Sequence, residues 1–225
     1  CGKSTLMLMV AGLLGRSSGE IAIDGKSVTR PVTDVGIAFQ DHLLLEFRTA
    51  IDNVTLHADI RHLPKKKIEE RAKELFAQLR LTPAMHKYPH QLSGGMRQRV
   101  SLIRTLVHDP SLILMDEPFG ALDALTRLQV RTDLEALWMR RRPTVLFITH
   151  SVEEAVGLSD RILVMSPSPG EIVEDIVIDL PRPRPIVLGD VKEFAAYVDR
   201  IHRHFERLGV LHGVDTPVGA DGGSA

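Results

Sequence analysis

The chain has 225 residues, 44% of them hydrophobic, with a formal charge of −1 and a single cysteine. That length fills one large domain or two small lobes around a real core, and the near-neutral charge argues against a general nucleic-acid binder, which needs a basic face for counterion release. A lone cysteine excludes an intramolecular disulfide framework and fits a reducing compartment such as the cytosol.

From the first residues, Gly2 to Leu14 reads as a loop entering an apolar helix (Leu6, Met7, Leu8, Met9, Val10, Leu13, Leu14), stopped by Gly15 and Ser17-Ser18-Gly19 and apolar enough to be buried. Glu20 to Gly25 alternates like a strand closing in a turn, and Val35 to Gln40 is a second short strand with a polar end. From Asp41 to Thr105 the pattern turns helical. Pro64 opens Lys65 to Leu81, where Ile68, Ala72, Leu75, Phe76 and Leu79 recur at helical spacing. This stretch is expected to be an inserted helical lobe. Strands return at Leu112 to Met115, Thr144 to Thr149 and Arg161 to Ser166, with a helix from Leu122 to Arg141 between, which predicts a layered α/β sheet.

Pro167-Ser168-Pro169-Gly170 is a turn into Glu171 to Asp179, and Pro181 to Pro185 reads as a linker or edge connection. An amphipathic helix over about Asp190 to Leu208 precedes a Gly- and Asp-rich tail, Gly213 to Ala225, expected to be flexible. Lys65-Lys66-Lys67 and Arg140-Arg141-Arg142 are read as solvated helix ends. Trp138 is read as a packing residue, and His202 and His204 as surface residues. No apolar run reaches the ~18 residues of a spanning helix and no leader pattern is visible, so any membrane role is expected to come through a partner.

The chemistry lies in a few strand and helix ends. Lys3 follows a glycine and precedes Ser4-Thr5 at a helix start, where a lysine can meet phosphates and a serine hydroxyl can hold Mg²⁺. The P-loop pattern G-x-x-x-x-G-K-[ST] puts its first glycine before Cys1, so the sequence reads as truncated within that motif, without the strand that feeds it. Gln40 ends an apolar strand, from which its amide can reach a metal or an attacking water. Asp116-Glu117 ends the strand Leu112-Ile113-Leu114-Met115. Asp116 is assigned to the metal and Glu117 to orienting or deprotonating water. Leu92-Ser93-Gly94-Gly95-Met96-Arg97-Gln98-Arg99 is a two-glycine turn opening a helix, suited to an anion. His150 closes the strand Val145 to Thr149, and an imidazole can donate to an anion near neutral pH. The remaining histidines have no such context.

Taken in order, Gly2-Lys3-Ser4-Thr5, Gln40, Leu92 to Arg99, Asp116-Glu117-Pro118 followed by Phe119-Gly120-Ala121-Leu122-Asp123, and His150 resemble the ATP-binding cassette (ABC) family of ATPases from Cys1 to about Arg184. The resemblance implies a P-loop NTPase (RecA-like) α/β core over residues 1–40 and 106–185, a helical subdomain carrying the signature motif over 41–105, and a C-terminal helix and tail over 186–225. It implies ATP and Mg²⁺ as cofactors. Cys1, Gly2, Lys3, Ser4, Thr5, Gln40, Asp116 and His150 would bind nucleotide, while Ser4, Gln40 and Asp116 would hold the metal. Glu117, His150 and Gln40 would be catalytic, with Gln40 as the Q-loop and His150 as the switch histidine. By the same resemblance two cassettes pair head to tail, and Ser93, Gly94, Gly95 and Asp123 act on the nucleotide of the partner. Met96 stands where many members have glutamine.

Leu122 to Arg127, Thr149 to Val156, and Ser166-Pro167-Ser168-Pro169-Gly170 through Leu180 to Arg184 look like bacterial nitrate, sulfonate and taurine importer ATPases. That likeness implies a peripheral ATPase on the cytoplasmic face of the membrane, paired as a homodimer on transmembrane permease subunits. A periplasmic or extracellular solute-binding protein would feed it, and nucleic acid would have no part. Two alternatives are weighed against this reading. One is a soluble ABC ATPase acting on nucleic acid or ribosomes, disfavoured by the ordinary length of Gln40 to Leu92. The other is a truncated fragment that cannot bind ATP, because a sheet without a central strand leaves backbone groups unpaired.

Overall fold

A computed structural model describes residues 2–184 and 192–210. Strands β3 (Val35–Ala38), β4 (Leu112–Asp116) and β5 (Thr144–Ile148) form a parallel sheet in that order, with Ala38 opposite Met115 and Met115 opposite Phe147. Parallel strands need crossovers and coverage on both faces. Strand β4 shows why: Leu112 and Leu114 face a cluster with Met7 and Ala11, whereas Ile113 and Met115 face Leu102, Phe119 and Val130. Helix α1 (Lys3–Val10) therefore covers one face, while α4 (Gly94–Leu106) and α5 (Ala124–Arg141) cover the other. Glycine is required at Gly36 in β3, where a Cβ would lie 2.5 Å from the Thr105 carbonyl oxygen of α4.

Helices α2 (Ala50–Arg61), α3 (Lys65–Gln78) and α4 enclose a second core of Val54, Ala72, Leu75, Phe76, Val100 and Ile103. The periodic residues expected in α3 are the ones it buries. Helix α4 crosses the expected boundary at residue 105, and its Thr105 hydroxyl donates to Ile37 O at 3.2 Å, tying the helical layer to the sheet.

Two small antiparallel sheets complete the strands. One is β1 (Ala22–Ile23) with β2 (Lys26–Ser27), closed by Asp24-Gly25 with both φ positive. This is the conformation that Asp-Gly hairpin turns favour. The other is β6 (Arg161–Met165) with β7 (Ile172–Val177), packed on α6 (Val152–Leu158) and α7 (Lys192–Arg207) through Val156, Ile162, Val164, Ile176, Phe194 and Ile201. Among the described residues β5 and β6 do not pair with each other, and a cleft of about 1040 Å³ lies between them. The sheet is thus three separate pieces rather than one continuous layer.

Several expectations change. Helix α1 ends at Val10, Met7 is its fully buried residue, and Leu13 and Leu14 beyond it are 53% and 45% exposed. One side of α1 meets β4 and β5, but Leu6 borders the cleft, so its apolar faces are covered unevenly. The stretch after Leu180 is an anchor rather than a linker: the Arg182 and Arg184 side chains are 11% and 2% exposed. His204 is half-buried against Glu174. Asp190, Pro185 and the tail from Gly213 lie outside the described residues. Among the described residues no helix is long and apolar enough to cross a membrane.

Candidate functional site

Because β3, β4 and β5 are parallel and in register, they end together, and the polar residues just past them are brought to one edge. In open α/β sheets that carboxyl edge is where ligands bind. Gln40 follows β3, Asp116 closes β4 with Glu117 after it, and His150 follows β5. His150 Nδ1 lies 3.1 Å from Glu117 Oε2, with the imidazole largely exposed and the carboxylate a quarter exposed. The Glu117 N–H donates to Ile148 O at 2.9 Å, so its backbone extends the β4–β5 ladder by one position. Glu117 also sits at φ 45°, a left-handed conformation that a side chain other than glycine adopts only at a cost. From the Cβ position of Gly120, Gln40 Nε2 is 3.8 Å and Glu117 Oε2 3.9 Å away, so the amide and the carboxylate flank one small space.

The loop carrying His150 is fixed by bonds that the sequence reading missed. Ser151 caps α6 by accepting from the Glu154 N–H at 3.2 Å, and the Thr149 hydroxyl donates to Glu154 Oε2 at 2.7 Å. Glu154 also lies 3.9 Å from Arg127 of α5. The signal was present as Ser151-x-x-Glu154, a capping-box spacing.

Gly2, at φ 88°, caps α1, and Lys3, Ser4 and Thr5 form its first turn. The amides of a first turn have no intrahelical acceptor, and the macrodipole adds positive potential there. Ser4 and Thr5 are exposed, and Lys3 lines the same cleft as His150. Cys1 lies outside the described residues.

A second group gathers around Thr126. Ser93 caps α4 by accepting from the Met96 N–H at 3.3 Å, and Gly94 and Gly95 open the helix. A Cβ on Gly95 would fall 2.4 Å from Thr126 Cγ2, so a larger residue there would have to displace the Thr126 methyl. Asp123 caps α5, accepting from the Thr126 N–H at 3.0 Å. The hydroxyl and amide of Thr126 hold the Asp123 carboxyl below its ordinary range. The structure thus gathers Gln40, Asp116, Glu117 and His150 at the strand ends, and Ser93, Gly94, Gly95 and Asp123 at the α4–α5 junction.

The histidines outside His150 are less bare than their sequence context suggests. His57 of α2 and His108, just after α4, stack with ring centroids 4.5 Å apart. Burial, then the neighbouring His108, Arg104 and Arg61 charges, lowers the His57 pKa to about 4.

The candidate metal set of Ser4, Gln40 and Asp116 offers a hydroxyl, an amide oxygen and a carboxylate, the all-oxygen chemistry that suits Mg²⁺. Among the described residues no group of three or more His, Cys, Asp or Glu side chains is placed to hold a metal ion.

Residues 1–120 match the family described as ABC transporter. The taurine import ATP-binding protein TauB of Rhizobium johnstonii is 41% identical over 96% of this chain and 82% of its own length. The aliphatic sulfonates import ATP-binding protein SsuB of Bacillus cereus is 40% identical over 94% of this chain and 82% of its own. Among solved structures, the ATP-binding cassette MJ0796, in a dimeric post-hydrolysis state bound to ADP and Pi, superposes with a TM-score of 0.67 and 28% identity, covering 79% of this chain and 81% of that one. The parallel sheet with polar residues at its carboxyl edge agrees with these likenesses, and the chain belongs to the ABC transporter family as an ATP-binding cassette ATPase.

Proposed function

We propose that this chain is the ATP-hydrolysing subunit that drives uptake of a small nitrate-, sulfonate- or taurine-like anion. It would work on the cytoplasmic face of a membrane as a pair of cassettes bound to permease subunits, with an external solute-binding protein delivering the solute. The names of the two relatives support the substrate class, and the dimeric solved cassette supports the pairing. The observation that carries the hydrolytic reading is the 3.1 Å approach of His150 to Glu117 at the ends of adjacent strands.

In this reading Lys3 and the first-turn amides of α1 hold the terminal phosphates, and Ser4, Gln40 and Asp116 hold Mg²⁺. When bound, the cation would neutralise phosphate charge and orient the leaving group. Glu117 accepts a hydrogen bond from the attacking water and draws off its proton. The ladder bond to Ile148 fixes where that carboxylate stands. His150 orients Glu117 and donates to the γ-phosphate. Ser93, Gly94, Gly95 and Asp123 close over the nucleotide held by the second cassette, so hydrolysis waits on pairing. ATP affinity for the closed pair is the term that drives the cycle. The helical layer of α2, α3 and α4, residues 41–105, passes that motion to the permease, while residues 1–40 and 106–185 form the nucleotide core and residues 186–225 an appendage to it.

The test is Mg-ATP hydrolysis and ATP binding by the wild type and Glu117→Gln. The variant should bind ATP as before while hydrolysis falls by about 10²-fold or more, the scale of a lost general base. Equal rates would remove Glu117 from the mechanism.

A further inference from the structure

Arg104 lies in the last turn of α4, far in sequence from Gln40, yet its guanidinium reaches the loop that leaves Gln40. It donates to His42 O at 2.9 Å and to Leu43 O at 2.7 Å. Burial lowers its pKa, and among the described residues its hydrogen-bond partners are these main-chain carbonyls. A partly desolvated cation is costly unless such bonds satisfy it. The carbonyls it holds belong to a loop with a cost of its own, since Leu43 sits at φ 44° with its side chain 54% exposed. A leucine in the left-handed region is disfavoured, because its Cβ crowds the following carbonyl oxygen. The next part of the loop is held from α2: the fully buried Asn53 accepts from the Leu45 N–H at 2.7 Å and donates to the carbonyls of Leu45, Arg48 and Thr49 at 3.0–3.1 Å.

We propose that Arg104 is a positioning residue for Gln40, holding the loop at His42 and the left-handed Leu43 and tying it to the far end of the helix that begins with Ser93-Gly94-Gly95. The inference rests on the catalytic reading of Gln40 given above. Its consequence follows from the length of α4. The helix start meets the nucleotide of the partner cassette, and its last turn holds the loop beside the chain's own nucleotide. A shift of α4 on pairing is therefore passed to Gln40 through two charge-assisted hydrogen bonds.

The experiment uses the intact protein and combines amide hydrogen exchange with ATPase assays on Arg104→Ala, Arg104→Lys, Gln40→Ala and the Arg104→Ala/Gln40→Ala pair. Exchange over residues 41–47 should quicken by about tenfold or more in Arg104→Ala, the size expected on losing bonds from a charged donor. ATP binding without Mg²⁺ should hold, while hydrolysis falls. Arg104→Lys, with a single ammonium in place of the fork, should recover part of both. Adding Gln40→Ala to Arg104→Ala should cost little more, because both act through one group. Leu43→Gly in the Arg104→Ala background should return protection, since glycine adopts that φ without strain. Unchanged exchange in folded Arg104→Ala or Arg104→Lys overturns the latch. Quickened exchange with additive losses of activity overturns its action through Gln40. Full hydrolysis by Gln40→Ala alone instead sinks the catalytic reading of Gln40, and the exchange data still decide the latch.

Discussion

The Arg182 guanidinium lies 4.4 Å from the centroid of the Trp138 ring and donates to Glu135 Oε1 at 2.9 Å. It also donates to Leu158 O at 2.6 Å and to Asp160 Oδ1 at 3.0 Å, so one side chain joins the stretch after β7 to α5 and to the end of α6. Glu135 is 8% exposed at its side chain, and removing Arg182 would take away its charge partner and leave the buried carboxylate with the Arg184 N–H at 3.1 Å. Arg182→Ala should therefore destabilise the protein by about 3–5 kcal/mol, the scale of a broken buried ion pair. Arg161→Ala breaks a solvent-exposed pair with Asp175, screened by water and salt, and should cost far less. Urea unfolding of both variants checks the contrast, and equal losses would refute the anchoring role.

Gly36→Ala is expected to destabilise by about 1–3 kcal/mol through overpacking. The new methyl would stand 2.5 Å from Thr105 O and 2.8 Å from Thr105 Cγ2. The hydroxyl bond from Thr105 to Ile37 O keeps α4 from backing away. Gly94→Ala, with open space around its Cβ position, should cost much less in stability. Thermal melts of the two variants separate close packing from a general effect of losing glycine.

The strands of the nucleotide edge were legible because each polar residue of interest follows a short apolar run, and parallel pairing then needs only matched lengths to bring Gln40, Asp116, Glu117 and His150 together. Helix α3 was legible for the same local reason, its apolar residues repeating along one face. What stayed hidden depends on partners distant in sequence. Pro181-Arg182-Pro183-Arg184 carries the composition of a solvated linker, and nothing in it announces Glu135, Asp160 or Trp138. The His57–His108 stack joins α2 to the turn after α4, a contact that no periodicity fixes. Helix α1 misled in the other direction: its apolar composition promised full burial, but only part of its surface has elements to pack against.

On the proposed role of Glu117 in hydrolysis, its φ of 45° puts stability and catalysis in opposition at one residue. A non-glycine residue held in the left-handed region costs of order 1–3 kcal/mol. Glu117→Gly should relieve most of that strain and leave the protein as stable as the wild type or more so, while hydrolysis is lost. Glu117→Ala should lose hydrolysis without the gain. Denaturant midpoints beside ATPase rates test this, and a glycine variant less stable than the alanine variant would show that the conformation is not strained.

The stacked pair of His57 and His108 predicts how stability depends on acid. His57 faces His108, Arg104 and Arg61, all of which oppose a proton on its ring, and burial adds to them. His108 is lowered as well, chiefly by burial and Arg61, with Asp34 and Asp109 pulling the other way. In the unfolded chain an imidazole titrates near 6.5, whereas folded His57 titrates at about 4. Between those values the unfolded state binds the extra proton, so the contribution is whole above about pH 6.5 and is lost as pH falls toward 4. His57→Phe keeps a ring against His108 and removes the titration. Its unfolding free energy should therefore fall less steeply than that of the wild type between pH 7 and pH 4.5, by urea titration at matched ionic strength. Carboxylates elsewhere titrate in both proteins and cancel in the comparison, so parallel slopes would mean that folded His57 takes up its proton as freely as the unfolded chain does.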